Sequence, residues 1–154
     1  MRPGLRAPYH GSAVYHLLLT GRSPRELALK LDPWPGNATP EDALLAGEFQ
    51  CQSEAVRAPS PPWRAGTSEE FRADLQRFDW LRDLAALGSE AAWEAARRWT
   101  ADWLQQFDIY DRLAWRADVI GDRLFAWLEY FDRLGADEAL RTAMLKSLAR
   151  QSRH

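Results

Sequence analysis

The sequence predicts an all-α fold, built of antiparallel helices with a small β-hairpin near the N-terminus. Three observations lead there. From Thr67 onward, apolar residues recur at i, i+4, i+7 spacing in four successive stretches, the mark of helices that bury one face. The breaks between those stretches are a few residues long, so neighbouring helices must run antiparallel, either as a bundle or as successive hairpins of an α/α array. Before the prolines at 59, 61 and 62, residues 48–57 alternate weakly between polar and apolar, which reads as two short paired strands.

Taken in order, residues 12–20 read as a first helix. Ser23, Pro24 and Glu26 supply an N-cap, a proline at the first helical position and a capping-box acid, predicting a short helix through about residue 30. Residues 32–37 (DPWPGN) hold two prolines and a glycine and must turn, with Trp34 as an apolar anchor. Thr39, Pro40 and Asp42 repeat the cap pattern and start a helix that Gly47 stops; the hairpin follows, and residues 59–66 close a first section. Thr67 and Glu70 then form a capping box for a helix carrying Phe71, Leu75, Phe78 and Leu81 and ending at Gly88. Ser89 caps the next, whose Trp99, Trp103, Leu104 and Phe107 share a face that fades near Asp108. Residues 116–134 make a third helix, with Ile120, Leu124, Trp127, Leu128 and Phe131 inward and Gly135 as its stop. Asp137 opens a fourth, with Leu140, Met144 and Leu148 inward. The chain thus divides into residues 1–66, a section of short helices, turn and hairpin, and residues 67–154, the helical hairpins. The last helix runs through Arg150 to His154 without a cap or breaker, which predicts either a helical array continued in a longer protein or completed by self-association, or a frayed terminal turn on a complete domain.

The 154 residues suffice for one core without disulfide or metal. Twenty Lys and Arg against 22 Asp and Glu give a formal charge of −2, which argues against a nucleic-acid partner bound through bulk positive charge. The basic residues are nearly all Arg, with Lys at positions 30 and 146 alone; the planar guanidinium fork suits carboxylate recognition, and it equally suits helices. Cys51 has no cysteine to pair with, and His10, His16 and His154 form no ligand spacing, so neither a metal nor a cofactor is expected. No segment is long and apolar enough to span a membrane. No secretory leader is recognisable, so the sequence as written reads as cytoplasmic, and as periplasmic if its true start lies upstream.

Two segments interleave aromatic and Arg residues along a helix: residues 71–87 (FRADLQRFDWLRDLAAL) and 115–131 (WRADVIGDRLFAWLEYF). Such rings beside fixed cations are what a groove for an acidic sugar polymer needs, and also what an ordinary helical core contains. Trp80 with Arg82, and Trp115 with Arg116 at a helix start, are the candidate substrate-binding residues. Against that stands packing: Asp79 and Arg82, three apart, can pair along one helix, while Trp99, Trp103 and Trp127 fall on buried stripes. Tyr9, His10, Tyr15 and His16 bring Tyr and His together without a convergent Arg or Asn, which reads as packing rather than a catalytic set.

The order of the strings LLLTGRSP, DPWPGNATPEDALLAGEF, RFDWLRDL, LAWRADVIGDRLFAWL and SLARQSRH resembles the N-terminal part of heparinase II/III family proteins. The resemblance implies an incomplete α/α toroid and, for a full-length member, β-elimination on a uronate-containing acidic polysaccharide of the heparin or heparan kind. That reaction needs a carboxylate neutraliser, a base and a proton donor. None of the family's catalytic motifs matches a string in this chain, so no catalytic residue is assigned, and the chain on its own is expected to be inactive. The rival reading is a non-catalytic helical module that binds glycans, or a protein partner through its Trp-rich face.

Overall fold

The structure, a computed structural model, describes residues 12–27, 43–51, 54–64 and 68–154. Among them are seven helices and one antiparallel hairpin: α1 (Ala13–Leu19), β1 (Glu48–Cys51), β2 (Glu54–Arg57), α2 (Glu69–Arg77), α3 (Asp79–Leu87), α4 (Glu90–Phe107), α5 (Ala117–Glu129), α6 (Phe131–Leu134) and α7 (Glu138–Gln151). The mostly helical fold with a small hairpin is as the sequence predicts. The expected turn at 32–37 with Trp34, and the helix start at Thr39, lie outside the described residues; residues 43–47, expected to complete that helix, form turns.

Local chemistry sets most helix starts. The hydroxyls of Ser12, Ser68 and Ser89 and the carboxylate of Asp137 each accept the backbone N–H three residues on, satisfying a donor that the helix leaves free. For α2 the capping side chain is Ser68; Thr67 lies outside the described residues. Gly88 ends α3 at φ 64°, in the left-handed region that glycine enters at little cost. Gly47, at φ 86°, turns the chain into β1, where a Cβ would stand 2.1 Å from the Ala58 carbonyl oxygen. The strands pair in the register Glu48↔Arg57 to Cys51↔Glu54.

Three expectations are corrected. Residues 24–27 are not helical despite the Ser-Pro-x-Glu start signal, and residues 28–30 of the expected helix lie outside the described residues; a cap motif alone does not fix the first turn. The helix expected to run from residue 67 to Gly88 is two helices, separated at Phe78, which adopts φ 70°. The helix expected over 116–134 is likewise broken, at Tyr130, into α5 and α6.

The break at Phe78 shapes the core. It drops the phenyl ring among Trp63, Trp80, Trp103 and Trp127, with centroid separations of 5.9, 4.8, 5.9 and 5.4 Å. Phe49 of the hairpin reaches the same core through Trp99 at 5.3 Å. Trp63, which carries no helical periodicity, anchors its turn by donating from Nε1 to Asp102 at 2.6 Å. Burying this many large rings supplies the main apolar driving force, and their tilted and edge-on contacts add to it. One continuous core joins Tyr15, Phe49 and Trp63 to the helices from α2 to α7.

Candidate functional site

Charge is organised around Arg77 at the end of α2. Its guanidinium bonds Glu70 at 2.9 Å, Asp74, and Asp118 at 3.0 Å, with Asp122 at 3.4 Å, tying α2 to α5. Burial works against this charge, but the hydrogen bonds to Glu70, Asp118 and Asp74 hold the Arg77 pKa above its ordinary value. Arg116 bonds Asp118 at 2.7 Å and, with Arg77, keeps that carboxyl well below the usual carboxylate range.

The four candidate groove residues do not share a groove. Trp80 is 6% exposed, and its Nε1 donates to the Leu75 carbonyl at 3.1 Å. Trp115 is 2% exposed, and its Nε1 donates to the Phe107 carbonyl at 2.8 Å. Both rings face the core, so neither offers a stacking surface to solvent. Arg82 is drawn to Asp79 at 3.5 Å and Glu129 at 3.7 Å. Arg116 pairs with Asp118 and with Glu69 at 3.6 Å and reaches the edge of an open recess, while Trp80 contributes to the wall of a different one.

That recess, about 710 Å³ in volume, is lined by Arg64, Arg72, Arg112 and Arg116 together with Glu69 and Asp111, over Trp63 and Phe107. Arg64 lies 3.6 Å from Asp111 and 4.6 Å from the Phe107 ring centroid. The Nε of Arg72 is shielded from solvent and has no hydrogen-bond partner among the described residues. The sequence did not single out Arg64, Arg72 or Arg112, because they come from the turn after β2, from α2 and from the segment before α5. For Arg64 and Arg112 the general preference for Arg was the only trace, while Arg72 lies in the aromatic and Arg segment 71–87 without being picked out of it.

A second recess, about 370 Å³, lies between the hairpin and α2–α3, with Cys51, Asp74, Asp79 and Asp83 on its walls. The Cys51 thiol donates to Asp74; burial, then that carboxylate, push its pKa up to about 12, which withholds the thiolate that nucleophilic chemistry needs. Burial likewise raises the Asp79 carboxyl, against the pull of Arg82.

Tyr15, His16, Tyr110, Trp115 and His154 form an aromatic cluster where α1 meets the end of α7. Tyr15 OH bonds His154 Nδ1, and the His154 ring stands 5.3 Å from Trp115. His16 Nε2 accepts the Tyr110 backbone N–H at 2.9 Å, which requires the neutral imidazole with its proton on Nδ1. This is a packing cluster, as the sequence suggests for Tyr15 and His16; Tyr9 and His10 lie outside the described residues. Among the described residues no group of three or more His, Cys, Asp or Glu side chains is placed to hold a metal ion. Nor is any helix among them long and apolar enough to cross a membrane.

FtsZ-localized protein C of Caulobacter vibrioides is 28% identical to this chain over 152 residues, which amount to 95% of the chain and 26% of that protein. The chain therefore spans about a quarter of the length of that relative. No protein-family model and no solved structure matches.

This similarity overturns the heparinase II/III resemblance, and with it the polysaccharide-lyase chemistry and the acidic-polysaccharide partner that the resemblance implied. The likeness extending over the chain is to a protein named for its location at FtsZ. Two of the strings that suggested a lyase carry packing. RFDWLRDL spans the helix break at Phe78 and the buried Trp80, while LAWRADVIGDRLFAWL supplies the buried Trp115, Arg123 and Trp127.

Proposed function

We propose that this chain is a helical protein-interaction module that associates with FtsZ assemblies of the cell-division apparatus, and so works in the cytoplasm. The observation that carries this reading is the likeness to FtsZ-localized protein C over 95% of the chain. The arrangement of groups supports it. The described tryptophans are committed to the core, the described thiol is held protonated, and the open surface carries guanidinium and carboxylate groups suited to charged contacts between proteins. In this reading the antiparallel helices form part of a larger helical array in a longer protein.

The test is co-sedimentation of the purified chain with assembled FtsZ of the same organism, with localisation of a fluorescent fusion in dividing cells. The chain should pellet with polymers, remain in the supernatant without them, and concentrate at the division plane. A chain that stays in the supernatant at all polymer concentrations and is spread evenly through cells would overturn the reading.

A further inference from the structure

We propose that the Arg-lined recess is a docking site for a carboxylate-rich peptide segment of a protein partner, an inference that rests on the protein-interaction reading above. The charge is the first argument. The chain as a whole carries −2, yet the walls of this recess bring four Arg together with two acids, leaving an excess of two positive charges in one concavity. Such an imbalance draws anionic partners out of proportion to net charge, because the concave low-dielectric walls focus the field.

The state of the guanidinium groups is the second argument. Arg64 has an internal carboxylate partner, Asp111, at a loose 3.6 Å, a distance at which an entering carboxylate can take over the contact. Arg116 is held by Asp118 at 2.7 Å and only loosely by Glu69 at 3.6 Å, so a ligand would compete for the Glu69 side of its fork. Arg72 adds a half-buried guanidinium to the same wall. Guanidinium is the side chain best matched to a carboxylate, since its fork can hold both oxygens.

Size and origin of the walls select among anions. A volume of about 710 Å³ is far larger than a single small anion fills. The cations come from three separate segments, so a ligand that meets several of them must carry several carboxylates along its length. A Glu- or Asp-rich stretch of polypeptide does this.

The experiment uses the full chain and a fluorescein-labelled glutamate-rich decapeptide, with its glutamine counterpart as control, read by fluorescence anisotropy. The glutamate peptide should bind, the glutamine peptide should not, and affinity should fall with added salt. Arg72→Gln combined with Arg112→Gln should weaken binding about tenfold or more. Arg57→Gln with Arg98→Gln, the same charge change at exposed positions outside the recess, should weaken it less than about twofold. Arg112→Glu, a substitution at an exposed position that leaves the core untouched, should weaken it at least as much as the double variant.

Absence of peptide binding would overturn the proposal. So would equal losses in the recess and control variants, unchanged affinity in Arg112→Glu, or inorganic phosphate binding as tightly as the peptide, which would mark a small-anion site. Co-sedimentation with FtsZ separates the two levels of the argument. FtsZ binding that survives loss of the recess arginines overturns the docking site and leaves the proposed function standing. Peptide binding without FtsZ binding does the reverse.

Discussion

The Arg123 guanidinium lies 4.2 Å from the centroid of the Trp103 ring, and both side chains are fully buried. The acceptors around Arg123 are amide and carbonyl oxygens: Gln151 Oε1 at 2.9 and 2.7 Å, the Gln76 carbonyl at 2.9 Å and the Ala114 carbonyl at 2.8 Å. Trp103 Nε1 closes the circuit by donating to Gln76 Oε1 at 2.5 Å. One cation thus ties α5 to the end of α2, to the segment before α5 and to α7. Burial pulls its pKa down to about 9, still above neutral, so the guanidinium stays charged and satisfied by dipoles and the indole face.

Replacing Arg123 therefore strands several buried acceptors at once. Arg123→Met should lower stability by about 3 kcal/mol or more, and Arg123→Lys, which keeps the charge without the planar fork, by about 2 kcal/mol. Urea unfolding followed by circular dichroism measures both. A methionine variant as stable as the parent would mean that these oxygens find water without penalty and that the network does not hold the helices together.

Phe78 gives an unusual order of substitutions. Its φ of 70° costs a residue with a Cβ about 1–2 kcal/mol, a strain sustained by burying the ring among four tryptophans. Both Phe78→Ala and Phe78→Gly lose that burial, at about 3–5 kcal/mol, but only glycine is released from the strain. The glycine variant should thus be more stable than the alanine variant by about 1 kcal/mol, the reverse of their order inside a helix. Denaturation midpoints of the two variants check this, and alanine ranking above glycine would mean that the left-handed turn is not retained.

How much of this was legible from sequence follows from the same residues. Ser89, Gly88 and Asp137 mark helix ends by local chemistry, and the stripes through Trp99, Trp103, Met144 and Leu148 mark buried faces. Those features depend on neighbours a few positions away, which periodicity reports. The breaks at Phe78 and Tyr130 have no Gly or Pro to announce them, because tertiary packing of the rings outweighs the backbone preference. Interleaved Trp and Arg were open to two readings, and only the fold shows that Trp80 and Trp115 point inward. The recess arginines, gathered from residues 64, 72, 112 and 116, share no periodic pattern that would have revealed them.

The docking of α1 should depend on pH through His16. Burial, and then the nearby Arg150, lower its pKa from 6.5, against the opposing pull of Asp108. Arg150 itself is fixed on Asp108. Because the folded value lies below the unfolded one, the unfolded chain takes up the proton first as pH falls. The contribution of His16 is complete above about 6.5 and is lost as the pH drops toward the folded pKa. Protonation also removes the lone pair that accepts the Tyr110 N–H. In His16→Gln the side-chain oxygen can still accept that bond but does not titrate. The variant should therefore stay within about 1 kcal/mol of the parent at neutral pH and lose less stability than the parent on acidification. Unfolding free energies of both proteins, measured from neutral pH down to mildly acidic pH, give the difference directly, together with amide exchange in α1 as a local reporter. Parallel pH profiles for the two proteins would show that His16 binds its proton equally in the folded and unfolded chains, and would remove this residue as the origin of any acid release of α1.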